Sequence, residues 1–255
     1  MKNLLWAECK KLRRSNIIWI TVFAAVMIAV LIFIGGLEVY TGSDVHSGLK
    51  TVRGGSQYID NAGWYMDEVQ PWSIFFALPG VIALFGSYII CREEDEDTLK
   101  SLRLIPINEV KLTAAKMIVT FWFSIGIYLL LFTLIFLTES VLHFSDLSAA
   151  LILVSLKEYF LDGAGMFLAI SPIIAFAARI KKYWLALVLA ELYSVAGMFA
   201  GMSNSLKNIY PVTAIFNLSG YNITTAENRV VSVIALLLCG CLSILILKGL
   251  NRKEK

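Results

Sequence analysis

Histidine is almost missing from this chain of 255 residues, which carries only His46 and His143. Both fall in loops between the apolar runs, so no histidine stands beside a serine where an intramembrane serine protease would need one. The H-E-x-x-H pattern of an intramembrane metalloprotease is missing, and so is the G-x-x-x-x-G-K-[ST] loop that holds nucleotide phosphates. The chain therefore cannot hydrolyse ATP alone, and no catalytic residue is expected in it. Charge is scarce too: Asp, Glu, Lys and Arg make up 16% of the residues, in short clusters, and the net charge of +3 does not imply nucleic acid. The four cysteines, Cys9, Cys91, Cys239 and Cys241, lack metal-ligand spacing. Cys239 and Cys241 stand two apart on a predicted helix and point to different sides, so neither a metal site nor a disulfide framework is expected. No internal repeat or low-complexity tract is present.

What is abundant is apolar surface. Hydrophobic residues form 58% of the chain and its mean hydropathy is +0.73, beyond the range of ordinary soluble domains. The apolar runs are long enough to cross about 30 Å of hydrocarbon at about 1.5 Å per residue. They predict an all-α integral membrane protein, a single transmembrane domain over residues 1–255 with six spans at about 17–36, 73–91, 117–138, 159–178, 183–202 and 230–248. The first run follows a basic start, as in a signal sequence, but its length and the five later spans make it a retained helix.

Six spans put both termini on one side. If that side is the cytoplasm, the inner segments hold 17 of the 22 Lys and Arg residues and the outer segments hold Lys50, Arg53, Lys157, Lys207 and Arg229. The positive-inside rule selects N-in and C-in. The first outer segment, about 37–72, ends in Tyr58, Trp64, Tyr65 and Trp72, which suit a helix at headgroup level. Residues 146–158 are expected to form an interfacial helix leading into span 4, the competing reading being one merged long helix. Around Tyr210-Pro211, an apolar patch with a helix breaker can dip back into the bilayer if it packs against other helices.

Several polar and small residues lie within the spans. Glu191 is near the middle of span 5, where an acid costs about 2.5–3.5 kcal/mol on insertion scales, so it is expected to face the bundle or a cavity. Its two readings are a grip on a cationic peptide and a structural pairing with a Lys, Tyr or Ser of another span. Asp162, near the outer end of span 4, is expected to reach the interface. Gly197 and Gly201 form a G-x-x-x-G ridge that permits close helix approach. Pro79 and Pro172 are expected to kink spans 2 and 4.

The most informative stretch is the inner loop from Arg92 to Lys116. Asp97 or Thr98 can cap a short helix whose Leu99 and Leu102 share a face, and Pro106 stops it about two turns later. Asn108 can cap the next span, with Glu109 in its first turn. Such an amphipathic helix is a handle for a soluble partner; a solvated charge cluster in a tight loop is the plainer reading.

The order Arg92, Glu93, Glu96, Thr98, Leu99, Lys100, Pro106 and Lys116 resembles the coupling-helix signature of ABC-2 type permeases, and with Glu94 and Leu102 the residues from Glu93 to Pro106 among these are the ATPase-coupling candidates it implies. The segment from Glu8 through Lys11 to Arg14 is similar to that family's interfacial elbow helix. The chain departs at Asp97, where many members have Gly, and at Glu109, where many have Arg; both keep the local physics. In detail the chain looks most like the permeases of lantibiotic-immunity and bacitracin-resistance transporters.

The resemblance implies a permease in the bacterial cytoplasmic membrane that holds no cofactor. A separate ABC ATP-binding subunit, present twice, would hold ATP and Mg and dock on the coupling helix. A second copy or a homologous permease would complete the dimer, membrane lipid would surround it, and an antimicrobial peptide or other amphiphile would be expelled. Export of an unrelated drug, lipid or glycan is the alternative within the class, and a non-transporting membrane scaffold the alternative outside it.

Overall fold

A chain crossing hydrocarbon has to satisfy its own backbone N–H and C=O groups, and this one does so with helices. The computed structural model describes residues 2–12, 17–41, 62–95 and 109–253. Among these residues there are ten helices and no strand: α1 Lys2–Leu12, α2 Ile17–Thr41, α3 Trp64–Phe75, α4 Leu78–Asp95, α5 Glu109–Leu142, α6 Ala149–Ile180, α7 Tyr183–Gly201, α8 Leu206–Ile209, α9 Pro211–Ser219 and α10 Ala226–Lys253. Helices α2, α5, α6, α7 and α10 are each long and apolar enough to cross a bilayer. Counting α3 and α4, bent by 50° at a short break, as one broken span gives six.

The second span is where sequence and structure differ most. Trp64 and Tyr65 were expected at the headgroups, yet they are only 7% and 3% exposed and belong to α3, the first half of that span. The Tyr65 ring meets Phe33 of α2 edge-on at 5.7 Å, and its hydroxyl donates to the Ala29 carbonyl, so α2 draws this end of α3 inward. Tyr58 lies outside the described residues.

Span 4 is also longer than expected. Helix α6 starts at Ala149, where the Ser148 hydroxyl accepts from the Leu151 N–H at 3.2 Å, and runs unbroken through Pro172 to Ile180. The merged long helix is therefore the observed one, and no separate interfacial helix precedes it. Lys157 and Glu158 fit on it because they face different ways: Lys157 is exposed and Glu158 buried. Pro79 sits in the first turn of α4, where a missing N–H leaves no intrahelical bond unmade. The bend of this span falls before it, at Phe76–Ala77.

Residues 203–229 contain α8, α9 and the first turn of α10. Pro211 opens α9, Gly220 closes it at φ +99°, and Val212 to Phe216 are buried against α6, α7 and α10. All four cysteines are free.

Helices α5 and α6 cross at close range. Ser124 donates to the Gly163 carbonyl at 2.7 Å, and a Cβ on Gly163 would stand 2.8 Å from Ile125 Cα. Backbone cannot give way as a side chain can, so Gly163→Ala is expected to destabilise the fold by about 1–3 kcal/mol. The check is the apparent melting temperature of the purified protein in detergent; an unchanged value would contradict this packing.

Candidate functional site: the broken second span and the loop it serves

Breaking a helix leaves carbonyls at the end of the first half and N–H groups at the start of the second without intrahelical partners. No water is at hand inside a bilayer to satisfy them. Here Phe76 is extended and Ala77 adopts a left-handed φ of +61°, a conformation costing roughly 1–2 kcal/mol for a residue with a Cβ. Helix α7 supplies the missing partners. The Glu191 carboxylate accepts from the Gly80 N–H at 2.9 Å and from the Ala77 N–H at 3.3 Å. One turn on, Ser194 donates to the Phe75 carbonyl at 3.0 Å. From α5, the Tyr128 hydroxyl donates to the Ser73 carbonyl at 3.3 Å.

The partners of Glu191 are thus backbone amides, not a Lys, Tyr or Ser of another span. A negative group at the first turn of α4 is also favoured by the helix dipole. Gly80 makes this possible, since a Cβ there would overlap the Glu191 carboxylate.

The α3 half-helix is held by polar side chains along its length. At its start, Glu139 of α5, fully buried, accepts from the Tyr65 N–H at 2.7 Å with one oxygen, and its other oxygen meets His143 Nδ1 at 2.8 Å. In the same turn the Tyr159 hydroxyl donates to the Met66 carbonyl at 2.8 Å, and one turn further Gln70 donates to Asp162 Oδ2 of α6 at 2.7 Å. Asp162 does not reach the interface as expected: it is fully buried at the α3–α6 contact. Between α9 and α10, the Tyr221 hydroxyl donates to the Asp67 carbonyl at 3.3 Å. Burial raises the Tyr221 phenol, with the nearby Asp67 carboxylate adding to the rise, so it stays a donor at neutral pH. Chemically these acids act as hydrogen-bond acceptors. No nucleophile and base are paired in this network, and no three His, Cys, Asp or Glu among the described residues come together to hold a metal ion.

At the other end of the broken span, Glu93 and Glu94 fall in the last turn of α4. Glu96, Thr98, Leu99, Lys100, Leu102 and Pro106 lie outside the described residues. The two flanks of that loop are joined. Lys116, buried in α5, donates to the Ile90 carbonyl near the end of α4 at 3.4 Å, and Phe85 stacks on Phe123 at 3.5 Å. Arg92 lies over the Tyr88 ring at 5.9 Å, and Tyr88 meets Tyr183 of α7 edge-on. At the N-terminus, Lys11 pairs with Glu8 at 2.9 Å, and α1 packs against α5. Trp6 is left exposed on α1, with Lys10 4.7 Å above its ring.

The glycine ridge faces α9 rather than another span. A Cβ on Gly197 would stand 3.0 Å from Tyr210 Cε1, and one on Gly201 3.4 Å from Thr213 Cγ2. Tyr210 also donates to the Tyr193 carbonyl of α7, and burial pushes its phenol up to about 12.

Residues 4–197 match the sequence model of a family described as ABC-2 family transporter protein. A bacitracin transport permease protein of Bacillus licheniformis is 24% identical over 164 residues, covering 63% of this chain and 78% of that protein. No solved structure matches the chain.

Losing the carboxylate at the break leaves two N–H groups in hydrocarbon unpaired, so Glu191→Ala is expected to destabilise the protein by about 1–3 kcal/mol. Gly80→Ala should do the same by displacing the carboxylate, and the double variant should add little to either alone. Additive losses in a thermal-unfolding series would mean that the two residues do not act on one contact.

Proposed function

The chain belongs to the ABC-2 transporter family as a multi-pass membrane permease, and on this premise we propose that it exports an amphiphilic antimicrobial peptide using the ATPase of a partner. The family's membrane subunits work with an ABC ATP-binding subunit. Two copies of that subunit would dock on residues 93–110 of two permease chains, this one and either a second copy or a homologue, from the cytoplasmic side.

The observation that carries this reading is the placement of α4. One end runs directly into the 93–110 loop and is tied to the start of α5 by Lys116; the other meets α3 at the break capped by Glu191. A push on the loop, made when the ATPases close on ATP, would move α4 as a rod and concentrate the bending at Phe76–Ala77. The polar clamp on α3 would hold the outer half still meanwhile. The Bacillus licheniformis relative supports a peptide of the bacitracin type as cargo.

Replacing Leu99 and Leu102 together by Asp puts two charges on the face expected to meet the ATPase. Co-purification of the ATPase and transport should both be lost while the permease remains in the membrane; retention of both would overturn the docking assignment. A strain lacking the chain should become several-fold more sensitive to bacitracin or to nisin-type peptides, with no change towards an unrelated drug. Unchanged peptide sensitivity would remove the cargo assignment.

A further inference from the structure

The broken span and its clamp leave one feature unused. Helices α5, α6 and α10 do not close on one another where the start of α5 lies beside the end of α10. Between them is a cleft of about 490 Å³, whose walls include Ala114, Ile118, Phe121, Phe167, Leu237 and Gly240. Thr113, Ser171, Ser243 and Lys248 interrupt this apolar lining, and Ser171 already donates to the Leu168 carbonyl. Ser243 is 2% exposed, and its hydroxyl has no hydrogen-bond partner, neither the carbonyl one turn back nor any other group among the described residues. Lys248 stands at the mouth, exposed, at the end of α10 that leads into Arg252, Lys253 and Lys255 in the sequence.

Length decides what fits. Eleven residues separate Leu237 from Lys248 on α10, about 16 Å at the helical rise. That is one leaflet's share of a hydrocarbon core about 30 Å thick, too short for a crossing helix of another chain and right for one acyl chain. Charge completes the match. Lys248 belongs to the basic end of the molecule, which the N-in orientation of the proposed function places at the anionic cytoplasmic leaflet. Ser243 lies five residues deeper, about 7 Å below Lys248, where the ester carbonyl of a lipid would sit if its phosphate met the ammonium.

We propose that this cleft is a binding site for an anionic glycerophospholipid of the cytoplasmic leaflet. Lys248 takes the phosphate, the Ser243 side chain, whose oxygen is covered in this structure, rotates to donate to an ester carbonyl, and one acyl chain fills the space between Ile118, Phe121, Phe167 and Leu237. The headgroup side rests on the N-in orientation, but the site does not require that the cargo be a peptide or that any transport occur.

The test uses the full-length protein in mixed micelles with phosphatidylglycerol whose acyl chain carries a photoreactive group. Adducts mapped by peptide mass spectrometry should fall on the α5, α6 and α10 residues of the cleft. Lys248→Gln should weaken phosphatidylglycerol retention about fivefold, the worth of one lysine near an anionic surface, and leave phosphatidylcholine unaffected. Ala114→Phe and Gly240→Leu each fill the cleft from a different helix, so one remains informative if the other misfolds; both should abolish the adducts. Adducts elsewhere, or adducts that survive a folded filling variant, would overturn the site. Loss of a permease dimer on filling, with lipid adducts unchanged, would assign the cleft to a second copy instead. Retained lipid binding in a protein without transport would count against the exporter reading and leave the site standing.

Discussion

A helix cannot be interrupted in hydrocarbon unless something else satisfies its backbone, and at Phe76–Ala77 that something is α7. Two side chains one turn apart treat the two sides of the break separately. Glu191 accepts from the Ala77 and Gly80 N–H groups at the start of the second half, and Ser194 donates to the last carbonyl of α3. Without them the bend would expose several unpaired polar groups, each costing a few kcal/mol in an apolar medium. Gly80 leaves room for the carboxylate, and the close approach of α4 to α7 follows.

The same economy governs two buried acids. Glu139 serves the first turn of α3 and Asp162 serves Gln70 in its middle, so the half-helix is suspended from α5, α6 and α7 by groups that would be catalytic suspects in a soluble enzyme. Their geometry is that of capping and pairing, with acceptors directed at amide donors. A membrane-embedded chain with few charges uses them where regular helix fails.

Much of the architecture was legible because it depends on long apolar runs: α2, α7 and α10 lie close to the spans read from sequence. The break was not legible. Pro79 pointed to a bend nearby, but the apolar run across Phe76 and Ala77 is continuous, and only a partner 114 residues away makes interruption tolerable there. Trp64 and Tyr65 read as interfacial because aromatic residues favour that level, whereas Tyr65 packs on Ala29 and Phe33 of a distant helix and Trp64 stacks on Tyr65. Glu139 went unread although Glu139 and His143 stand four apart on one helical face, a spacing that signals pairing. Glu191 was found by its depth alone; its partners are backbone, which no pattern of side chains announces.

In the proposed transport cycle the capped break is the joint on which α4 turns when the 93–110 segment is driven. Electron spin resonance can measure it directly, with labels at Ala62 and Ile90 in a cysteine-free background of the permease–ATPase complex in nanodiscs. Trapping ATP should shift the distance between the labels by several ångström as the 50° bend changes, and Glu191→Ala should broaden it before ATP is added. One narrow distance, identical with and without ATP and unaffected by Glu191→Ala, would contradict the account.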